Sequence, residues 1–265
     1  MFCRIYRIIN LLNVDVAIGA MISSLYFARL MQAPVRVYGV AALGLTVWII
    51  YTADRLLDVR HLTKPASSER HRFHQLHAGL LWVLVLITSV TVCVLVIFIR
   101  PTVLLGGIML APVIALYLLF QKKLPVKEFM VALLYTTGVL LPAWPGSWQP
   151  VWQVAGLIGQ FFLVALTNIF LFAWFEAEAD TRMGQLSIVT RIGKKRVFAV
   201  IMVLLALGVT ATAIAMVLNY LAGAIFLSMW FVLVALLRFS RYFEKHERYR
   251  LWGDAIFYLP VLGLL

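Results

Sequence analysis

The chain has 265 residues, 63% of them apolar and 13% charged, with a formal net charge of +12 and a mean hydropathy of +0.96. Soluble domains are about 45–50% apolar and about 25% charged, and a globule of this size has too little interior to hide the excess. The composition therefore excludes a soluble enzyme, a disordered tail and a disulfide scaffold; the two cysteines, Cys3 and Cys93, form no CxxC pair.

Several apolar runs reach the ~18–20 residues that cross a bilayer. Arg4 and Arg7 precede the first run, which continues to about Leu30 through Asn10, Asn13 and Asp15 and shows no small-residue cleavage site. This reads as a retained first span rather than a leader. Hydropathy with charged and Pro/Gly punctuation predicts nine helices, at about 8–30, 35–53, 79–99, 102–120, 126–144, 151–175, 196–218, 220–238 and 252–265. The expected architecture is all-α: a polytopic membrane protein, a nine-transmembrane-helix bundle forming a single domain over 1–265.

Charge placement supports that count. With a cytoplasmic N-terminus, the N-terminal segment and the connectors after helices 2, 4, 6 and 8 carry 20 of the 23 Lys and Arg residues, and only Arg29, Arg36 and Arg100 fall on the other side. Lys/Arg bias sets orientation, so the active site is expected at the cytoplasmic face of a cell membrane. The opposite connector between helices 5 and 6 (142–152) is uncharged and Trp-rich, as an interfacial turn should be.

The eleven acidic residues are few enough for position to matter. Helix 2 ends through Asp54-Arg-Leu-Leu-Asp58-Val-Arg60, and helix 6 ends through Glu176-Ala-Glu-Ala-Asp180-Thr-Arg182. Both follow acid-x-x-x-Asp-x-Arg, and i, i+4 spacing puts each acid pair on one helical face. One reading is local ion pairing with neighbouring arginines. The other is a Mg²⁺ site, since Mg²⁺ takes a few carboxylates and bridges to phosphate oxygens; Arg60, Lys122, Lys123, Lys127, Arg182 and Lys194 would then hold the anionic head group. Repetition of the pattern favours the second.

At these residues the chain resembles the UbiA-type intramembrane prenyltransferases, which have nine spans and two Asp-rich motifs, NxxxDxxxD and DxxxDxxxG. Asp54 and Asp58 match the aspartates of the first; Glu176, Asp180 and Gly184 match the second, followed by Ser187 and Arg191-Ile-Gly193; Lys122-Lys123-Leu-Pro-Val-Lys127-Glu looks like the family's basic connector. Three positions depart: Ile50 stands where Asn is expected, Glu176 opens the second motif in place of Asp, and Tyr117 lies one residue off its usual spacing to the lysines. The resemblance implies that Asp54, Asp58, Glu176 and Asp180 act as metal ligands and catalytic acids around Mg²⁺. It implies an isoprenyl diphosphate and a hydrophobic acceptor, aromatic or lipid-like, as substrates.

Polar residues inside spans usually face a cavity or another helix. Asn168, two turns before Glu176 on the same face, is a candidate substrate contact. Asn10, Asn13 and Asp15 form a stripe that either lines the same cavity or joins helices. Phe172, Trp174, Phe175 and Tyr117 are candidate carbocation partners. Asp254 is expected to pair with basic residues of its own loop. His71, His74 and His77 drift around a helix and alternate with Arg70 and Arg72, which predicts a headgroup-facing lid more than a metal site. The basic residues attract anionic lipid, and nothing points to nucleic acid. The leading expectation is a Mg²⁺-dependent membrane prenyltransferase. A terpene cyclase on the same fold is the alternative, and an ion-coupled transporter is less favoured because its acids would sit nearer mid-membrane.

Overall fold

The computed structural model describes residues 2–121, 124, 127–184 and 186–265; Lys122 and Lys123 of the expected basic connector lie outside them. Among the described residues the chain is helical throughout. In order the helices are α1 (Phe2–Leu11), α2 (Val14–Leu30), α3 (Val37–Val59), α4 (Glu69–Leu76), α5 (Ala78–Val96), α6 (Pro101–Phe120) and α7 (Lys127–Leu140). Then come α8 (Trp148–Gln153), α9 (Ala155–Met183), α10 (Ile188–Ile192), α11 (Lys194–Leu218), α12 (Tyr220–Arg238), α13 (Ser240–Glu244) and α14 (Arg248–Ala255), and a 3-10 segment (Ile256–Gly263) follows α14.

Six helices among the described residues are long and apolar enough to cross a membrane, and the α1–α2 pair, bent by 85°, makes a seventh if the two are counted as one span. This is an integral membrane protein. The expected fifth span is α7, with 14 residues, about 21 Å at 1.5 Å per residue. In place of a continuous ninth span stand the eight residues of α14 and the eight of the 3-10 segment, a combined contour of about 28 Å because 3-10 turns rise faster.

The expected first helix over 8–30 is not continuous. Asn13 adopts a left-handed conformation (φ 57°) and turns α1 away from α2. The break leaves backbone groups that an apolar surrounding cannot satisfy, and side chains meet some of them: Trp48 Nε1 donates to Leu12 O at 2.8 Å. Asn13 Nδ2 itself donates to Thr52 Oγ1 at 3.4 Å and faces His74 Nε2 at 3.2 Å. Asn13 is thus an interhelical tie rather than a cavity liner.

Helix α3 packs on α2 and α5, α9 on α7, α11 and α12, and the 3-10 segment on α2 and α12. Where α2, α7, α9 and the 3-10 segment meet, Phe27, Tyr135, Phe161 and Phe257 form an edge-to-face and stacked cluster with centroids 5.2–5.9 Å apart, a geometry that adds to the burial of each ring. Outside, α5 and α6 turn nearly their whole apolar surface outward, as lipid-facing helices do.

One polar contact ties the apolar interior together. Trp230 Nε1 of α12 donates to Gln160 Oε1 of α9 at 2.9 Å, and Gln160 Nε2 donates to Gly208 O of α11 at 3.2 Å. The indole lies against Gly208, where any Cβ would overlap its six-membered ring; small residues at such crossings let backbones approach closely. Gly208→Leu should therefore destabilise the bundle by more than the ~1–3 kcal/mol of ordinary overpacking, read as a fall in the thermal midpoint of the detergent-solubilised protein. An unchanged midpoint would show that the three helices do not meet there.

Candidate functional site

Helix length explains where the acids stand. At 1.5 Å per residue the 23 residues of α3 and the 29 of α9 run about 35 and 43 Å, beyond a ~30 Å hydrocarbon layer, and Asp54, Asp58, Glu176 and Asp180 all stand within about two turns of the C-terminal ends of these helices. All four line a single polar cavity of about 150 Å³. The two acid pairs therefore face a common space, as their repetition in the sequence requires.

On the α3 side, Asp54 Oδ1 accepts from Gln121 Nε2 at 2.5 Å, and Gln121 Oε1 accepts from Tyr117 Oη at 3.2 Å. Arg55 Nη1 stands between the two acids, 3.9 Å from Asp54 Oδ2 and 4.0 Å from Asp58 Oδ2. The expected compensating cation is thus the arginine within the motif. On the α9 side, Glu176 Oε1 is paired with Arg250 Nη2 and accepts from Tyr249 Oη at 3.0 Å. Glu178 faces outward.

The substrate-contact candidates separate. Lys127 and Asn168 line the cavity, and Asn168 Oδ1 is buried with no hydrogen-bond partner among the described residues. Arg182 does not reach it: its side chain is 71% exposed and pairs with Glu178 at 3.4 Å on the outer face of α9. Arg60, at the end of α3, is also exposed and outside the cavity. Lys122 lies outside the described residues. Of the aromatic candidates, Tyr117 and Phe172 line the cavity. Phe175 stacks on Tyr249 at 4.4 Å, and Trp174 lies under Lys194 against Phe198.

Among the other residues of its walls are Arg70, Gln121 and Arg250, none of them expected at the site from the sequence. Arg70 comes from α4, which packs inward with Arg70, His71 and His74 all buried. The expected headgroup-facing lid is instead an inner wall, because these three side chains have partners inside. Arg70 Nη2 donates to Asp254 Oδ2 at 3.2 Å and to Asn10 O at 3.1 Å. Asp254 also accepts from Asn10 Nδ2 at 3.1 Å, and the same amide bonds Asp15. Asp254 therefore pairs across to α4 and α1, not with its own loop. The polar stripe of the first helix supplies that junction. Arg250 comes from α14, which lies close on α9 because residue 253 is glycine; a Cβ there would stand 2.5 Å from Asn168 Oδ1. The only sequence signal for α14 is this Arg-x-x-Gly-Asp run (250–254) after the last long span.

Burial and the positive field of Arg55 hold His71 well below the usual imidazole pKa, so it is neutral. With Arg55 Nη1 at 3.5 Å from its Nε2, the ring proton belongs on Nδ1, which meets Ser68 Oγ at 2.5 Å. The 3.7 Å approach of its Nε2 to Asp58 is therefore not an ion pair. Burial also pushes His74 down to about 4. Its Nδ1 donates to Arg70 O at 2.9 Å, while Nε2 accepts from Asn13, leaving no acceptor for a second proton.

The donor set is compatible with a hard cation. Asp54, Asp58 and Asp180 present carboxylate oxygens to the cavity, which suits Mg²⁺. Among the described residues no three His, Cys, Asp or Glu side chains close on one point, so water and phosphate oxygens would complete the shell of a bound ion.

No family model matches the chain, and no curated protein matches it in sequence. Its fold matches two solved structures. One is the apo structure of a UbiA homolog from Aeropyrum pernix K1, at 16% identity and TM-score 0.72, covering 95% of this chain and 97% of that one. The other is a digeranylgeranylglyceryl phosphate synthase, at 16% identity and TM-score 0.52, covering 97% and 96%. The chain has the UbiA-type fold over nearly its whole length, as the acid motifs led one to expect.

The histidines give this end of the molecule a defined pH response. His74 has a folded pKa of about 4 against about 6.5 unfolded, so between these values the unfolded state binds more protons and stability rises with pH. The contribution is full above about 6.5 and is lost as pH falls towards 4. Thermal midpoints should drop between pH 7.5 and 5, and drop less in His74→Gln; equal slopes for the two proteins would place the sensitivity elsewhere.

Proposed function

We propose that this protein is a UbiA-type membrane prenyltransferase. It would move an isoprenyl group from an allylic diphosphate to a hydrophobic acceptor, with Mg²⁺, at the cytoplasmic face of a cell membrane. The observation that carries the reading is the junction of two unlike cavities. The polar cavity holds the acids and arginines, and an apolar cavity of about 400 Å³ shares Tyr51, Tyr117, Val131 and Tyr135 with it. The apolar cavity continues between α3, α5, α6 and α7 to Gly39 and Pro142. From Tyr51 to Gly39 along α3 is twelve residues, about 18 Å. A molecule with a polyanionic head and a long apolar tail fits this pair of spaces; an inorganic ion or a water-soluble metabolite does not.

Asp54 with Asp58 on α3, and Asp180 on α9, would hold Mg²⁺ at separate points of the cavity, and the metal when bound stabilises the charge that gathers on diphosphate as the allylic C–O bond breaks. Lys127, Arg70 and Arg250 face the same charge directly. The electron pair leaves with the diphosphate, and the allylic cation forms at the junction, beside the π faces of Tyr51, Tyr117 and Tyr135. An acceptor carbon closes the new C–C bond and then loses its proton. Tyr135, whose buried hydroxyl has no hydrogen-bond partner among the described residues, is placed to orient that acceptor. Apolar walls such as Val131, Ala165, Ile169 and Phe257 would limit water, the competing nucleophile. Basic connectors at the same end fit a cytoplasmic orientation.

The deciding assay incubates the purified protein with allylic diphosphates of several lengths, with and without Mg²⁺, and follows diphosphate release. Mg²⁺-dependent release, reduced at least a hundredfold in Asp54→Asn or Asp180→Asn, is expected. No release at any chain length would overturn the reading, and release with a cyclic hydrocarbon as product would make the protein a cyclase. Thr46→Phe, which narrows the apolar cavity part-way down, should shorten the longest tail accepted while sparing the shortest. Equal loss for all lengths would show that the tail lies elsewhere.

A further inference from the structure

The outer side of α9 carries a second hollow. Gly184 (φ 65°) and Gly193 (φ 87°) hold backbone conformations that favour glycine, and between them α10 folds back onto both α9 and α11. The hook encloses a space of about 400 Å³. Buried Ala177 and Val189 line it, together with the exposed side chains of Glu178, Arg182 and Lys194. None of these residues lines the cavity of the acid motifs. Charge and hydropathy are both one-sided here. Glu178 is the sole acid of the lining, and its exposed pairing with Arg182 at 3.4 Å is worth little. Arg191, Lys195 and Arg196 are exposed in the same connector, and no acid occurs between residues 181 and 196. Lys194 Nζ stands 4.6 Å from the centroid of the Trp174 indole, which packs on Phe198. Lys194, Phe198 and Met202 follow one another at i, i+4 and i+8 along one side of α11. Phe198 is 41% and Met202 48% exposed, so this track begins at a cation and turns apolar as it enters the membrane.

We propose that this hook binds one anionic phospholipid. Arg182 and Lys194 hold its phosphate from two different helices, and an acyl chain runs down Phe198 and Met202. The occupant is a lipid rather than a free anion because the cations open onto an apolar, lipid-facing track. It is more than the diffuse attraction of a basic face, because two named cations on separate helices meet one phosphate. The site backs directly on the second acid motif. Asp180 and Ser187 line the acid cavity, whereas Thr181 and Val189, one and two residues further on, line this one. Ile188, between Ser187 and Val189, donates its N–H to Glu128 Oε1 at 2.7 Å. A seated lipid therefore braces the connector that follows Asp180, and it does so whatever reaction the acids perform.

The test follows the thermal midpoint of the full chain in dodecyl maltoside as dioleoyl phosphatidylglycerol or dioleoyl phosphatidylcholine is added. A ligand that binds only the folded state raises the midpoint, and phosphatidylglycerol should raise it by about 5 °C more than phosphatidylcholine. Arg182→Gln/Lys194→Gln should lose most of that difference. Arg241→Gln/Lys245→Gln removes two exposed cations elsewhere on the chain and should keep it. Reading each variant as a difference between two lipids cancels any change in its own stability. Millimolar inorganic phosphate should leave the midpoint where it was. Equal midpoints in the two lipids, or a difference that survives in Arg182→Gln/Lys194→Gln, would overturn the proposal. An equal loss in both double variants would reduce the effect to diffuse charge, and a full effect from inorganic phosphate would leave the acyl chain no part; either result overturns it as well. None of these outcomes bears on diphosphate release, so the transferase reading stands or falls by its own assay.

Discussion

The polar end of this molecule depends on two buried ion pairs, Arg250–Glu176 and Arg70–Asp254. The first joins the short helix α14 to α9, and the second joins the short helix α4 to α14. Short helices of eight residues have little stability of their own, so their positions come from these contacts. Removing one partner of such a pair would leave a charge with neither water nor counterion, a loss of about 3–5 kcal/mol. The walls of the cavity are therefore held by the same groups that face into it, and architecture and binding chemistry are not separable there.

Much of the molecule was legible in its sequence, for identifiable reasons. Long apolar runs have one physical solution in hydrocarbon, so helix class and most spans follow from hydropathy. The acid pairs were visible because charge is scarce and because i, i+4 spacing fixes their common face. Which arginines join them was not visible. Arg182 and Arg70 look alike as juxtamembrane basic residues, and both serve a positive-inside bias; only the rotation of α9 and the inward packing of α4 separate an exposed pair with Glu178 from a buried one with Asp254. The bend at Asn13 was hidden because hydropathy averages over a left-handed residue. The histidines of α4 misled because alternating charge suggests a wet face, whereas here neutral imidazoles and a paired guanidinium are packed inside.

The departures from the family motifs find places in this arrangement. Ile50, in place of Asn, lines the apolar cavity, so the border between wet and dry space falls within a turn of Asp54. Glu176, in place of Asp, has the extra methylene to reach a guanidinium on a different helix. Two substitutions that look like losses in a comparison of motifs thus have definite structural partners, an apolar wall for Ile50 and a guanidinium for Glu176.

The Trp230–Gln160–Gly208 contact has a consequence at the far end of the bundle. Glu176 lies sixteen residues beyond Gln160 on the same unbroken helix, about 24 Å away at 1.5 Å per residue. Sliding α9 by a single residue would part both hydrogen bonds of the glutamine, in surroundings that offer no replacement. Helix α9 is therefore a ruler with its zero at Gln160, and the height at which its carboxylates meet those of α3 is measured from a buried contact near the opposite end of the bundle.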